Sequence, residues 1–294
     1  MRSQTEFGNE EKGGPVMQPD SDPSSHTPKL LDQVREMLRM KHYSYRTEKA
    51  YVSWIYQYIV YHNKKHPRDM GEKEISQFLS HLAMKRRVSA STQNQALCAV
   101  VFLYREVLKI EIEDLNLIWA KKSKRTPVVL TKEEIKRLFE QMSGTHLIMA
   151  MLLYGSGLRL REVLNLRVKD IDFSYNQIMI RDTKGKEDRV VPLPKNVKTP
   201  LKENLRKVKN LHAKDLKNGY GEVYLPYALE KKYKNASKEW IWQYVFPAHR
   251  ISTDPRTGKK RRHHLYETVL QKAIRTAVKK AGINKRGTCH TFTP

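Results

Sequence analysis

The chain has 294 residues, 39% hydrophobic and 30% charged, with 56 Lys and Arg against 31 Asp and Glu and a net charge of +25. That length suits two domains with separate cores. No apolar run reaches the ~18 residues that suggest a membrane span, and the first residues, MRSQTEFGNEEKGG, lack the apolar stretch of a secretion signal, so a cytoplasmic location is expected.

A field of this sign attracts polyanions, nucleic acid ahead of an anionic membrane. Cys98 and Cys289 read as free thiols rather than a disulfide. The 11 histidines show no metal-ligand spacing, since His263 and His264 are adjacent rather than one helical turn apart.

Residues 1–27 are rich in Gly, Pro, Ser and acids, lack an apolar period, and are predicted to be a disordered tail. Arg2 and Lys12 are outnumbered there by Glu6, Glu10, Glu11, Asp20 and Asp22, so the basic excess belongs to the rest of the chain. Helices follow. Leu30, Leu31, Val34, Met37 and Leu38 stripe one from Pro28 to Met40. Ser44 opens a second, to about His62, burying Tyr51, Trp54, Ile55, Tyr58 and Ile59. Glu72 to Met84 carries Ile75, Phe78, Leu79 and Leu82. Ser89 caps a fourth, to about Leu108, with Leu97, Val100, Val101, Leu103, Tyr104 and Val107 inside. Residues 28–110 therefore read as a compact all-α domain whose aromatic stripe is core. Lys85, Arg86 and Arg87 precede Ser89, Ser91 and Thr92 at a helix start. Hydroxyls, N–H groups and the positive dipole end coincide there, which suits a phosphate backbone.

Residues 111–129 are predicted to be a basic linker, with Lys121, Lys122, Lys124 and Arg125 ahead of the helix-breaking Pro127. The linker can follow a polyanion or act as a plain tether. The second domain, 130–294, opens on a capping box of Thr131 and Glu134, with Leu130 able to staple to Ile135, and a helix to about Met142. A buried helix from Thr145 to Tyr154 leads into YGSGLRLREVLNLRVKDIDFSYNQIMIRDTKGKEDRVVPL. Leu158, Leu160, Val163, Leu164 and Leu166 mark a short helix that carries Arg159, Arg161 and Arg167, with Glu162 the nearby acid. Asp170 and Asp172 signal a turn; 177–181 reads as a strand, 183–188 as a hairpin tip and 189–193 as the return strand. Arg159 and Lys184 can serve as two phosphate ligands, a guanidinium fork and a mobile ammonium. Spacing alone equally allows solvated arginines beside a basic hairpin.

A long basic helix is predicted over about 197–217, then a short helix over 228–233 and a strand or extended segment over 240–246. Trp240, Trp242, Tyr244 and His249 can stack on unpaired bases or fill the core; the sequence leaves both open. RTGKKRRHH, residues 256–264, is the densest basic run, and Arg261, Arg262, His263 and His264 are expected to ride on phosphates. An amphipathic helix from Tyr266 to Ile283 ends at Gly282.

GSGLRLREVLNLRVKDIDF followed by TKGKEDRVVPL resembles the first catalytic box and the β-hairpin of the tyrosine recombinases, a likeness running over roughly 28–291. It implies a mainly α fold with a small β-hairpin or sheet. It implies an N-terminal SAM-like core-binding bundle that would clamp DNA from one side, followed by a mixed α+β catalytic domain. It also implies that Arg159 contacts the scissile phosphate, Lys184 protonates the leaving 5′ oxygen, Glu162 buttresses the site and His290 is the first His of the second box, H-x-L-R-H. LPYALEKKY and WIWQYVFPA, with RRHHLYETVLQKA, resemble the insertion of integron integrases, whose extra helix helps bind extrahelical bases of a folded single-stranded site. The implied partners are integron attachment and cassette sites in bacterial cytoplasm, with self-association in a synapse. No metal or nucleotide cofactor is implied, because a phosphotyrosyl bond conserves the phosphodiester energy.

The chain departs from that pattern near its last residues. Thr293 stands where the second phosphate-gripping Arg belongs, and the third-box His or Trp and the Tyr nucleophile have no counterpart. Tyr154, on a buried helix, is no evident substitute. Losing one charge-stabilising donor costs about 10²–10³ in rate, and losing the nucleophile removes the covalent path. The expectation is a catalytic domain truncated after the start of box II by a frameshift or early stop, binding DNA without cleaving it. The alternatives are a partner of an intact integrase in a mixed oligomer, or a general nucleic-acid-binding protein that shares only the charge.

Overall fold

The computed structural model describes residues 29–112, 119–121, 126, 128–181, 188–225, 229–255 and 257–292. The predicted tail, linker residues Lys122, Lys124 and Arg125, and the hairpin tip with Lys184 lie outside these residues. The chain divides into two compact units, Met1–Lys124 and Arg125–Pro294.

The first unit is helical. It contains α1 (Leu30–Met40), α2 (Tyr45–Tyr61), α3 (Glu72–Met84) and α4 (Ala90–Phe102). Local chemistry sets the starts: Ser44 accepts the Thr47 N–H at 3.2 Å and Ser89 accepts the Thr92 N–H at 3.3 Å. Val34, Leu38, Ile55, Ile75, Leu82 and Leu97 are buried together, each worth about 1.5–3 kcal/mol of transfer free energy when fully covered. The predicted fourth helix changes pitch instead of running on, becoming a π turn over Leu103–Leu108 that ends at left-handed Lys109. Inside, the Tyr58 and Tyr104 hydroxyls lie 2.9 Å apart, and Tyr104 Oη also reaches the carbonyls of Pro67 and Met70. Desolvation is the first cause that raises both phenols above the usual tyrosine range. This pair bonds the short 3₁₀ turn Pro67–Asp69 to the core where the sequence suggests only a basic turn.

The second unit begins with α5 (Lys132–Glu140) and α6 (Gly144–Gly155). The Thr131–Glu134 capping box forms in both directions, at 2.7 and 3.2 Å. Next come α7 (Leu160–Asn165) and a three-stranded antiparallel sheet ordered β1 (Ile171–Asp172), β2 (Gln177–Ile180), β3 (Arg189–Pro192). Ile178 pairs with Ile171 on one side and Val191 on the other, and Ile180 pairs with Arg189. Asp172 makes the expected turn by accepting the Ser174 and Tyr175 N–H groups. The two-residue β1 that it ends is too short to show as an alternating pattern.

Then α8 (Lys198–Lys217), α9 (Leu229–Lys232), the small ribbon β4 (Ser252–Thr253) with β5 (Lys260–Arg261), and α10 (Glu267–Lys280) follow. Gly282, at φ +64°, lies just past α10. The predicted strand or extended segment over 240–246 is divided: Trp240–Trp242 is a 3₁₀ turn followed by extended Gln243, and single bridges from Tyr244 to Arg167 and from Pro247 to His264 stand in place of a ladder. One core joins α5, α6, α7, the sheet, α8 and α10 through Leu138, Leu152, Val163, Ile178, Leu201 and Ile274. A satellite core of Val223, Leu225, Ala236 and Tyr244 holds the segment after α8. Among the described residues, no helix is long and apolar enough to cross a membrane. The protein is thus mostly helical with small antiparallel sheets, as the sequence implies.

Candidate active site

The site forms where α6 ends. A Cβ on Gly155 would come within 2.6 Å of Pro194 Cγ, so only glycine lets α6 stop against the residue after the hairpin. Ser156 Oγ donates to the Pro192 carbonyl at 2.8 Å, and Gly157 turns at φ +63°. This stitched turn presents Arg159 at the start of α7, with its side chain 54% exposed.

Glu162 organises what lies around it. Its side chain is only 10% exposed. Oε1 accepts from Arg159 Nη1 at 2.8 Å; Oε2 accepts from the Arg159 backbone N–H at 2.8 Å and from Arg189 Nη2 at 2.7 Å. One carboxylate therefore serves two guanidinium groups, one on α7 and one on β3. The other hairpin end is tied in a similar way: Arg181 Nε donates to Asp170 Oδ1 at 3.2 Å, while Asp170 Oδ2 caps the Arg167 N–H. These ties bracket the segment that contains Lys184.

Arg161 pairs with Glu267, the first residue of α10, at 3.4 Å. The charge of Glu267 also reaches His264 and Cys289. Burial pushes the Cys289 thiol up to about 11. His290 is exposed on the 3₁₀ turn Cys289–Phe292, which Phe292 anchors by stacking on Phe139 at 6.1 Å. Tyr154 is 39% exposed although α6 is buried, which corrects the sequence reading of that residue. Its ring leans edge-on against Phe139. Among the described residues, no three His, Cys, Asp or Glu side chains group to hold a metal ion.

The proposed nucleic-acid contacts divide sharply. Lys85, Arg86, Arg87, Lys121 and His249 are exposed, with Arg86 donating to Gln57 at 2.7 Å. The Ser89 hydroxyl is already engaged as the cap of α4. Arg261 and Arg262 are not phosphate-facing. Arg261 is buried and pairs with Glu230 at 2.6 Å. Arg262 forks onto Asp215 and donates to the carbonyls of Ala248 and His249. Burying these guanidinium groups requires partners, and acids distant in sequence supply them, while Nε and Nη1 of Arg261 are buried with no hydrogen bond among the described residues.

His263 keeps an exposed edge, but its ring packs against Tyr244 and His264, and desolvation followed by the His264 charge pushes it down to about 4. His264 is half-buried and held below the ordinary histidine range, chiefly by desolvation. Both rings are thus held toward the neutral form, which gives a phosphate no charge to meet. Trp242 is covered by Lys169, whose Nζ sits 3.4 Å from the ring centroid, and Trp240 tilts against His212 at 6.2 Å. Both tryptophans therefore have partners within the chain.

The sequence reading put Arg167 on the short helix with Arg159 and Arg161, but it lies past the end of α7. It is buried, donating to the carbonyls of Trp242 at 2.6 Å and Tyr224 at 2.7 Å, with its guanidinium 4.6 Å from the Tyr244 ring centroid. It bolts the segment after α8 to the end of α7. Arg189 was missed as a site residue. The signal was its alternation with Val191, which puts both on the half-covered face of β3. In the segment after α8, Tyr224, Tyr233 and Ile241 are more open than either tryptophan.

Residues 30–114 match the phage integrase N-terminal SAM-like domain, and residues 128–292 match the phage integrase family. An integrase/recombinase of Escherichia coli is 45% identical over 271 residues, 92% of this chain and 80% of that protein. One from Pseudomonas aeruginosa gives the same figures. Among solved structures, a lambda integrase dimer bound to a COC′ core site matches 90% of this chain and 82% of its own with a TM-score of 0.55. At 16% identity that is a likeness of fold.

Proposed function

Because this chain belongs to the phage integrase family of tyrosine recombinases, we propose that it binds recombination-site DNA of the integron class and places Arg159 on a backbone phosphate. Site-specific DNA recombination is the business of the family. The observation that carries the reading is the exposed Arg159 guanidinium held by a nearly buried carboxylate. Glu162 occupies Nη1, and a guanidinium has five N–H donors, so a fork remains for two phosphate oxygens. Arg189, sharing the same carboxylate, leaves the group of three net positive.

Lys184 and His290 take their roles from the resemblance: leaving-group acid and second-box ligand. Thr293 occupies the place of the second gripping Arg. A hydroxyl there supplies neither charge nor fork, and one lost donor lowers rate by about 10²–10³. We therefore also propose that these 294 residues bind DNA without cleaving it. Incubation with a nicked suicide site is expected to give no covalent protein–DNA adduct, and such an adduct on a denaturing gel refutes that part.

The integron assignment is supported by the segment after α8, in which Val223, Leu225, Ala236 and Tyr244 form a satellite core and Arg167 pins the Tyr224 carbonyl. Its open side chains, Tyr224, Tyr233 and Ile241, suit contact with unstacked bases. The test is competition between a folded single-stranded cassette site and the same sequence as duplex. Preference for the folded strand is expected; equal affinity removes the integron assignment and leaves the family. Binding to either should fall steeply with salt, by a log–log slope of about −0.9 per neutralised phosphate on duplex.

A further inference from the structure

Glu162 is an unusual partner for an exposed arginine. A carboxylate beside a guanidinium commonly turns fork to fork, both oxygens on two N–H groups of one arginine. Here it does not. Oε1 alone meets the Arg159 head at 2.8 Å, while Oε2 is held by Arg189 Nη2 at 2.7 Å and by the Arg159 backbone N–H. Arg189 is itself fixed, as the first residue of β3 paired with Ile180. Its head approaches Glu162 from the sheet, while Arg159 approaches from α7.

We propose that Arg189 is a positioning residue: by holding Oε2 it stops Glu162 from turning fork to fork onto Arg159, and so leaves the Arg159 guanidinium open to a DNA phosphodiester. This rests on the reading of Arg159 as a phosphate ligand. Without Arg189, Arg159 is the cation left bonded to Glu162 among the described residues, and Oε2, then held only by the Arg159 backbone N–H, turns to the Arg159 head. A further Arg159 N–H that would have met phosphate is then spent within the chain. Arg189 touches no DNA in this account; it acts through Glu162.

The experiment is a double-mutant cycle on the full chain, read as the affinity for a fluorescein-labelled random duplex. Arg159→Met is expected to weaken binding about tenfold, the value of one charge-assisted hydrogen bond. Arg189→Gln, which keeps a polar side chain but no charge, should weaken it several-fold. In the Arg159→Met background, Arg189→Gln should change nothing further, because contacts that act as one unit do not add. Arg189→Lys, which keeps a cation on Oε2 and guards against a folding artefact, should bind like the parent. Adding Glu162→Gln to Arg189→Gln should recover most of the lost affinity, since an amide does not compete for the fork.

If the effects of Arg159→Met and Arg189→Gln multiply, Arg189 contributes its own charge to DNA and the proposal is overturned. It is also overturned if Arg189→Gln binds like the parent, or if Glu162→Gln fails to rescue. In each of those cases the role of Arg159 still stands. If Arg159→Met binds like the parent, the phosphate-ligand reading and the proposal fall together.

Discussion

Two arginine-rich stretches of the second unit look alike in sequence and behave in opposite ways. The stretch around Arg159 has two guanidinium groups on one carboxylate, with the Arg159 head half in solvent. The stretch around Arg261 and Arg262 has each guanidinium paired and withdrawn from solvent, Arg261 at 4% exposure on Glu230, which also takes Lys259, and Arg262 at 12% on Asp215. A guanidinium left in solvent beside a shared carboxylate is what keeps charge for a ligand. A matched pair under cover contributes to the fold and offers little outward. Local density of Lys and Arg therefore ranks binding sites poorly.

That contrast can be broken by mutation. The largest effect is expected from Asp215→Ala, which leaves the Arg262 guanidinium covered and unpaired and should cost about 3–5 kcal/mol in urea unfolding. A loss as small as that of an exposed pair, about 0–1 kcal/mol, means that Arg262 is open to solvent after all. Next come matched substitutions at the two stretches. Arg159→Met should lower DNA affinity and leave the unfolding midpoint almost unchanged, whereas Arg262→Met should lower the midpoint and spare affinity in the folded protein. The reverse pattern would exchange the roles of the two stretches.

A smaller effect is expected at Lys169, whose ammonium lies over Trp242 and is held below the usual lysine range mainly by desolvation. Lys169→Met should remove a cation–π contact of about 0.5–2 kcal/mol and shift tryptophan emission. Unchanged emission would argue that the ring is uncovered and free to stack.

A separate effect concerns pH. His263 is pushed down to about 4, and His264 and His212 are also lowered, each mainly by desolvation. The unfolded chain then binds more protons than the folded one below about pH 6.5. Stability should therefore be complete above about pH 6.5 and decline as pH falls toward 4. His263→Gln should flatten that decline; an unaltered profile would show that the ring is protonated in the folded state.

Much of the helical framework was readable beforehand. Glu72–Met84 came from apolar spacing, and Ser44, Ser89 and Thr131 from capping chemistry, because each signal lies within one helical turn of its effect. The box around Arg159 and Glu162 was readable by resemblance, and their contact spans three residues. The π turn at Leu103 and the 3₁₀ turn at Trp240 were not, since packing sets both against local tendency.

The amino-acid order by itself settled where helices start, which residues are apolar, and that the chain carries a large positive excess. It could not sort the arginines. Arg189 meets Glu162 across 27 positions, Arg262 meets Asp215 across 47, and Arg167 reaches the Trp242 carbonyl across 75. Whether a guanidinium faces a phosphate or closes a core depends on the acid or carbonyl that folding brings to it. Partners that far apart leave no periodic trace along the chain, so only the tertiary structure decided which positive charges remain open.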